Sequence, residues 1–319
     1  MMRFLLLILM ILFLFSACRK NKKDVIWEAL ATGTTDDLHG LFFSDAQHGF
    51  ACGGSLYDVG VWLQTTDGGK SWCCLDSVYI KCAYAVSFIN PSQGIVSGFD
   101  GFIARTQNGG ADWDISNIPA WEPILDLHPV SLNEMIIVGG TSFDKGFLGY
   151  TADGGQQWTI QRVDHRMESL QSLDGRHLIA GGYGAIYLSS DSGKSWTHSG
   201  QRGDFYMDVF AVDEQRAVAV GQQGSIAFTD NRGQSWRNVK SGNHPFESPE
   251  SFEAVHFYDE QHGMAVGMQG LMYVTEDGGQ QWTKVEPFTD DRLRDVRMID
   301  AQVAVVAGER GVVYRVQIP

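Results

Sequence analysis

An eight-residue pattern that occurs six times constrains the fold of this chain more than any other feature of its sequence. The pattern is Ser/Thr-x-Asp/Asn-x-Gly-x-x-Trp. Its copies begin at Thr65 (TTDGGKSW), Thr106 (TQNGGADW), Thr151 (TADGGQQW), Ser189 (SSDSGKSW), Thr229 (TDNRGQSW) and Thr275 (TEDGGQQW). Successive copies lie roughly 40 to 45 residues apart, which is the spacing of β-propeller blades. The repeat therefore predicts an all-β propeller.

Each copy of this pattern, known as an Asp-box, is expected to form the turn before the last strand of a blade. The acid or amide at its third position can accept hydrogen bonds from nearby backbone N–H groups and hold the turn closed. The glycine at its fifth position supplies a positive φ, and the tryptophan begins the next strand and packs between sheets. Equivalent side chains on six separate blades cannot converge on one catalytic or metal site. We therefore interpret them as structural: Asp67, Asn108, Asp153, Asp191, Asn231 and Asp277.

The chain between the Asp-boxes reads as four strands per unit. The sixth unit shows this best, with predicted strands at Ala254–Tyr258, Gly263–Gly267, Leu271–Thr275 and Trp282–Val285. Seven segments match the first strand, but the seventh unit (Leu293–Ile318) has no Asp-box and no fourth strand. Val25–Leu30, with Trp27, has the character of the missing strand. We therefore predict a seven-bladed β-propeller with four-stranded antiparallel blades, closed by the N-terminal strand in the last blade.

The first residues have the features of a targeting segment. Arg3 precedes an apolar run from Phe4 to Phe15, which is too short to span a bilayer but suits the core of a signal peptide. The run ends in FSAC, which resembles a bacterial lipobox whose cysteine, Cys18, becomes lipidated. We predict a lipoprotein signal peptide over 1–17, a tether over 18–24 and the propeller over 25–319. Arg19, in place of aspartate, favours the outer membrane; an ordinary signal peptide cleaved near Ala17 is the alternative.

Charge and cysteine content narrow the function classes further. The formal net charge is −14, and such a surface repels nucleic acid. The remaining cysteines are Cys52, Cys73, Cys74 and Cys82, and their spacing does not match a zinc site. In an exported chain they can form one disulfide or stay as buried thiols.

The repeat units resemble those of the photosystem II stability and assembly factor family. The resemblance rests on LFFSDAQHG (Leu41–Gly49) and on the segment from Val255 to Trp282, which contains AVGMQG and TEDGGQQW. It implies an exported, often membrane-anchored propeller that assists assembly of a membrane complex, without catalytic activity or cofactor. The photosynthetic members are thought to dock through a basic surface patch, which cannot be matched residue by residue in this acidic chain. We therefore do not transfer the photosystem partner to it.

Topology indicates which rim of a propeller would bind a partner. The loops that enter each first strand and the hairpins between second and third strands share one rim around the channel, and they carry large aromatic and basic side chains of the kind enriched in interfaces. The candidate binding residues are Tyr57, Trp121, Phe143, Arg166, Arg202, Tyr206, Arg292 and Arg294. The alternative is that several of them only fill the channel mouth.

Catalytic arrangements known from other Asp-box proteins are not evident in the sequence. Sialidases combine an arginine triad with an early Arg-Ile-Pro motif, which is absent here, and Arg162, Arg202, Arg292, Arg294 and Arg310 are interpreted as solvated or paired. No carboxylate pair is singled out for glycoside hydrolysis. His48 and His262 occupy matching turn positions and are interpreted as turn residues. The sequence thus predicts a non-enzymatic scaffold for an unknown envelope protein or complex, without metal or cofactor; the alternative is a glycan-binding or sialidase-type surface lipoprotein.

Overall fold

A computed structural model describes residues 25–56, 59–75, 81–240 and 250–318. The predicted signal peptide and tether, including Cys18, therefore lie outside the described residues, as does Tyr57. Strands and four single-turn 3₁₀ segments make up the regular structure of the described ranges, without an α-helix. No helix in these ranges is long and apolar enough to cross a membrane.

The first half of the chain forms strands as follows. They are β1 (Ile26–Leu30), β2 (Leu38–Phe43), β3 (Gly49–Leu56), β4 (Val59–Thr65), β5 (Cys73–Cys74), β6 (Ala83–Asn90), β7 (Gln93–Gly98), β8 (Phe102–Thr106), β9 (Asp114–Asn117), β10 (Ile124–Pro129), β11 (Met135–Ser142), β12 (Lys145–Thr151) and β13 (Thr159–Val163). Three antiparallel four-stranded sheets result from them, each in chain order: β2–β5, β6–β9 and β10–β13.

The second half continues in the same way. Its strands are β14 (Met167–Ser172), β15 (Leu178–Ser189), β16 (Thr197–Ala211), β17 (Ala217–Gly221), β18 (Ile226–Thr229), β19 (Arg237–Lys240), β20 (Phe252–Phe257), β21 (Gly263–Gly267), β22 (Met272–Thr275), β23 (Thr283–Val285), β24 (Leu293–Met298), β25 (Val303–Gly308) and β26 (Val313–Gln317). Strands β20–β23 form a further four-stranded sheet, whereas β14–β19 form one sheet of six strands.

The prediction of an all-β propeller is confirmed, but the sheets are not seven equal sets of four strands. Five sheets have four strands, and the sixth has six because the long strand β16 pairs with β15 on one side and β17 on the other. Second strands such as β17, β21 and β25 are continuous apolar runs, and all of their residues are buried. Such runs are typical of strands covered on both faces.

The N-terminal strand pairs with the C-terminal strand. Strand β1 lies antiparallel to β26, with Trp27 opposite Val316, and the sheet order is β1-β26-β25-β24. The Trp27 ring stacks on Phe288 at 4.8 Å between centroids and meets Tyr314 edge-on at 5.9 Å. The predicted place of the segment beside Val312–Val316 is therefore confirmed.

Hydrogen bonds within each Asp-box close its turn. In the first copy, Thr65 Oγ1 donates to Asp67 Oδ1 at 2.9 Å and accepts from the Gly69 N–H at 3.0 Å. Asp67 Oδ1 also accepts from the N–H groups of Lys70 and Ser71, each at 3.0 Å. The predicted carboxylate-to-backbone bonds are thus present, but the buried threonine is an equal partner in the turn.

The Asp-box glycine adopts the positive φ that the sequence predicts, and it also abuts a neighbouring sheet. Gly193 has φ +80°, and a Cβ built on it would lie 2.5 Å from Ile136 Cγ1. The tryptophan that follows precedes its strand instead of beginning it. In the first copy, Trp72 donates from Nε1 to the Gly69 carbonyl at 3.2 Å and packs edge-on against Phe43. Each turn therefore also fixes the contact between two sheets.

Two further sequence interpretations concern turns and cysteines. His48 and His262 are turn residues, as predicted: the Nδ1 atom of each lies 2.9 Å from the aspartate three residues earlier, Asp45 or Asp259. The four cysteines of the described ranges are free thiols, so none of them forms the disulfide that the sequence left open.

Replacing Gly193 with alanine should destabilise the protein more than replacing Gly175. Both glycines have φ near +80°, so each variant should lose about 1–2 kcal/mol to the left-handed backbone conformation. A Cβ on Gly175 meets no atom within 4 Å, whereas one on Gly193 collides with Ile136 and should cost a further ~1–3 kcal/mol. Urea unfolding of both variants measures the difference; equal losses would mean that the contact with Ile136 is not tight.

Removing the Trp27 ring should weaken the sheet formed by the two chain ends. Trp27→Ala should lower the free energy of unfolding by about 1–2 kcal/mol, because the stack on Phe288 and the edge contact with Tyr314 are lost. Ile26→Ala is the matched control: its side chain is 73% exposed, so the change should stay within ~0.5 kcal/mol. Similar losses in both variants would contradict this account of the contact.

Candidate functional site: the channel mouth

The strands that begin each unit line a channel through the molecule. These inner strands are β2, β6, β10, β14, β16, β20 and β24, and the space that they enclose measures about 310 Å³. Asp126, Asp208 and Asp295 occupy the same position in β10, β16 and β24. Each lies two residues after the residue that pairs with a glycine of the second strand, which is Ile124, Tyr206 or Leu293. Acids thus recur in strands that are otherwise mostly apolar.

Each of these aspartates bonds to the backbone of the neighbouring inner strand. Asp126 accepts from the Leu170 N–H at 2.8 Å, and Asp208 accepts from the Val255 N–H at 2.8 Å. Asp295 accepts from the Leu41 N–H at 2.6 Å. These hydrogen bonds connect adjacent inner strands that belong to different sheets and therefore share no β-sheet hydrogen bonds.

Ser169 takes the aspartate's place in β14. Its hydroxyl donates to Asp208 at 2.6 Å and accepts from the Val209 N–H at 3.3 Å. Two neighbouring inner strands are thereby joined through a short polar chain. Such a pair of bonds satisfies buried polar groups that would otherwise destabilise the core.

Burial leaves these carboxylates easier to protonate than usual. It raises the pKa of Asp126 to about 6 and that of Asp208 to about 7, and it also raises the pKa of Asp295. The hydrogen bonds act in the opposite direction, as does Arg297, which donates to Asp295 at 3.0 Å. The desolvation of the charged form outweighs them.

Ion pairs surround the channel where the inner strands begin; we call this end the channel mouth and define it by Arg166, Glu168, Glu253, Arg292 and Arg294. Arg166 Nε lies 2.9 Å from Glu168 Oε1, and Arg292 lies 2.9 Å from Glu253. Burial raises the pKa of Glu168 to about 7. The mouth therefore alternates acids and bases, most of them only partly exposed.

The remaining arginine of the mouth is held by acids from two other segments. Arg294 lies 2.8 Å from Asp37 and 3.3 Å from Glu309. Burial, with the Arg294 charge nearby, lowers the pKa of the adjacent His39 to about 4, so this imidazole is neutral at pH 7.

Three aromatic side chains form a cluster beside the mouth; we call Phe143, Tyr183 and Phe205 the aromatic cluster. The Tyr183 centroid lies 4.9 Å from that of Phe143 and 5.1 Å from that of Phe205. Phe143 is 68% exposed and Phe205 40% exposed. The Arg166 guanidinium lies 5.8 Å from the Tyr183 centroid, which joins the cluster to the mouth.

The structure brings some predicted binding residues together and separates others. Phe143, Arg166, Arg292 and Arg294 lie in the aromatic cluster or at the mouth. Trp121 is 64% exposed and lies 5.6 Å from Lys81, in a separate contact. Tyr206 is fully buried, so the sequence placed it wrongly on the accessible surface: its side chain packs inward from β16. The side chain of Arg202 lies outside the described part of the chain.

Sequence reasoning did not identify Tyr183 and Phe205 as a contacting pair. It also did not identify the aspartates of the inner strands as a set. The signal for the aspartates is present in the sequence, because an acid recurs at one position in three aligned apolar strands. The signal for the aromatic cluster is weaker, since its members come from different loops and only the fold brings them together.

The arrangement does not resemble a sialidase centre. Three of the arginines that could form a carboxylate clamp are paired with acids: Arg162 with Glu122, Arg292 with Glu253, and Arg294 with Asp37. A clamp for a substrate carboxylate requires guanidinium groups that are available to it. Within the described ranges, no three His, Cys, Asp or Glu side chains are grouped to hold a metal ion.

Comparisons with known proteins agree with this architecture. The family model for photosynthesis system II assembly factor YCF48 matches residues 74–203, and the model for sortilin, neurotensin receptor 3, matches residues 184–302. Together the two matches cover the middle of the chain, including Asp-boxes two to six.

Two curated relatives are photosystem II assembly lipoproteins named Ycf48. The protein from Synechococcus sp. (strain CC9902) is 28% identical over 145 residues, which is 42% of this chain and 41% of the relative. The protein from Nostoc sp. (strain PCC 7120) is 24% identical over 233 residues, which is 70% of this chain and 67% of the relative. The match to the Synechococcus protein thus spans less than half of that relative's length.

A solved structure of YCF48 bound to D1 peptide has the same fold. It superposes with a TM-score of 0.72 at 18% identity and covers 92% of this chain and 97% of its own. The fold and repeats define a β-propeller of the Asp-box class. In its sequence the chain is similar to Ycf48 and other BNR-repeat propellers over the matched residues.

The raised pKa of Asp208 predicts a stability change with pH. An ordinary aspartate in the unfolded chain has a pKa near ~3.9. Since folding raises it to about 7, the stabilising contribution is complete below about pH 4 and is lost as the pH rises through 7. Asp208→Asn cannot titrate, so its free energy of unfolding relative to wild type should rise by up to ~1.4 kcal/mol per pH unit in this window.

Asp153→Asn is the matched control for that experiment. Asp153 lies in an Asp-box, where its hydrogen bond from the Gln157 N–H lowers its pKa, so its charge is constant between pH 5 and 7. Denaturant unfolding at pH 5, 6 and 7 should give a constant difference for this control. A flat difference for Asp208→Asn as well would contradict the proposed protonation.

Proposed function

We propose that this protein is a non-enzymatic, membrane-anchored propeller that acts as a protein-interaction or assembly scaffold in the bacterial envelope. The observation that carries the proposal is the accessible aromatic cluster beside the ion-paired channel mouth. Exposed aromatic and arginine side chains of this kind are enriched in protein interfaces. The family relationship supports it, because relatives are named as assembly lipoproteins and one YCF48 structure contains a bound peptide.

The proposal includes seven four-stranded sheets arranged around the channel. It treats the six-stranded sheet as two sheets merged through β15 and β16. Gly184, with φ +76°, marks a turn within β15, and β16 serves as the last strand of one unit and the first of the next. The packing of successive inner strands supports a closed ring, since each contacts the next and β24 contacts β2.

Membrane attachment is the part of the proposal that rests on the sequence. Residues 1–17 would be removed as a signal peptide, Cys18 would carry the lipid, and 18–24 would link it to the propeller at 25–319. The naming of both relatives as lipoproteins supports this attachment. Placement in the outer membrane depends on Arg19 alone and stays a prediction.

We propose that the protein is not an enzyme because the acidic side chains in and around the channel are engaged in hydrogen bonds and ion pairs. The inner-strand aspartates accept backbone hydrogen bonds, and the acids of the mouth are paired with arginine. Groups held in this way stabilise the fold, and among the described residues none of these acids is left as a free general acid or base. The glycan-active alternative receives no specific support from this geometry.

Site-specific photo-crosslinking in the native membrane tests the scaffold function. A benzoylphenylalanine at position 143 should form a covalent adduct with the same envelope protein in repeated experiments, identified by mass spectrometry. The control is the same amino acid at position 258, because Tyr258 is also exposed, at 50%, but lies on the opposite rim in a turn with His262. Adducts at neither position, or only at 258, would refute the proposed interaction surface.

A further inference from the structure

The chain enters the propeller at the rim opposite the channel mouth. Strand β24 starts at the mouth, next to Arg292, and β25 returns antiparallel to it. Strand β26 pairs antiparallel with β25 and therefore ends at the far rim, at Gln317. Strand β1 starts there with Ile26, opposite Gln317, and runs back towards the mouth. Ile318 and Glu276 of the sixth Asp-box line one depression at this rim, so the predicted tether joins the propeller on its Asp-box side.

The outer edge of the last sheet is apolar where the chain enters. Ile26 has the highest exposed fraction, 73%, among the large apolar side chains of the described ranges. Trp27 is 46% exposed although its ring stacks on Phe288. The outer strands β9, β13 and β19 read DISN, TIQRV and RNVK, whereas β1 reads IWEAL. Natural proteins protect sheet edges with charged side chains, but this edge leaves apolar surface uncovered.

Lipidation at Cys18 would keep this edge close to the membrane. The predicted tether, 18–24, spans at most about 25 Å even when fully extended. Most of the tether residues are basic and one is acidic: Arg19, Lys20, Lys22, Lys23 and Asp24. Basic segments next to a lipid anchor are attracted to anionic head groups, and this attraction reduces the distance between the bilayer and Ile26.

The surface of a bilayer fits this edge in both chemistry and position. Tryptophan is enriched at the membrane–water interface, where its ring is in apolar surroundings and its N–H stays near water. The one acid of β1, Glu28, lies opposite Arg315 of β26, so these two strands carry no net charge that anionic lipid would repel. Each copy is brought to the bilayer by its own anchor, whereas pairing between two copies also requires that they meet.

We propose that the start of β1 is the membrane contact of this protein: Ile26 and the exposed part of Trp27 enter the head-group region of the bilayer beside the lipid anchor. This inference rests on the membrane attachment included in the proposed function, and it identifies the surface that faces the lipid. The channel mouth and the aromatic cluster lie on the other rim. They therefore face away from the bilayer and stay accessible to a protein partner.

The accessibility of a nitroxide spin label tests this contact. The label is attached to Ile26→Cys in the lipidated protein, after the exposed thiols have been removed by Cys73→Ser and Cys74→Ser. Ile115→Cys is the matched control, because Ile115 is also an exposed isoleucine, at 48%, on the outer strand β9 of another sheet. Both variants are reconstituted into vesicles of phosphatidylethanolamine and phosphatidylglycerol. Collisions of the label with molecular oxygen and with a water-soluble nickel chelate are then measured.

Oxygen concentrates in the bilayer, whereas the nickel chelate stays in water, and the ratio of the two collision rates cancels shielding by the protein. This ratio should be several-fold higher at position 26 than at position 115. Equal ratios at the two positions would overturn the inference. Low rates with both reagents at position 26, without a higher ratio, would indicate contact with a second copy and would also overturn it.

Flotation of the same vesicles distinguishes failure of this inference from failure of the proposed function. Protein that floats with the lipid while position 26 stays in water would leave the anchored scaffold intact and refute the contact at β1. Protein that carries no lipid on Cys18 and does not float would refute the anchoring and the contact together. Crosslinking at position 143 tests the scaffold function independently of both outcomes.

Discussion

Hydrogen bonds that buried aspartates accept from backbone N–H groups of the neighbouring inner strands hold this propeller together at its centre. Sheets in such a fold contact one another mainly through side chains, so few backbone groups are shared between them. Asp126, Asp208 and Asp295 provide shared bonds at three places. Near the outer edge, the Asp-box turns supply a second set of contacts between sheets. The channel and its mouth depend on both sets, because together they position the inner strands.

The repeats made most of the fold predictable. An eight-residue motif marks the turn before the last strand in six of the units, and the apolar runs between motifs indicate the inner strands. The pairing of Trp27 with Val316 followed from counting strands in the last unit. Sheet boundaries were less predictable: β15 and β16 continue through segments that the sequence reads as turns, because backbone pairing can persist there. Local residue patterns do not determine whether neighbouring units share strands.

The candidate site was predictable only in part, for a physical reason. Loop position and residue type pointed to Phe143, Arg166, Arg292 and Arg294, which lie in the aromatic cluster or at the channel mouth; their role in binding stays a prediction. The same criteria failed for Tyr206, since a large aromatic side chain near a strand start can point into the core or away from it, and the backbone register decides which. The acidic partners of the arginines could not be predicted from the sequence either. Arg294 and Asp37, for example, come from distant segments that only the fold brings together.

The pairing of β1 with β26 has a consequence for biosynthesis. Strand β1 leaves the ribosome long before its partner β26 is synthesised. The strand that contains Trp27 therefore stays unpaired while the intervening sheets form. Completion of this sheet then depends on β26, which is translated after all the other described strands, and contacts of such long sequence separation form slowly. Premature termination before β26 would therefore leave β1 and one edge of β25 unpaired, and both edges would be exposed to quality-control proteases.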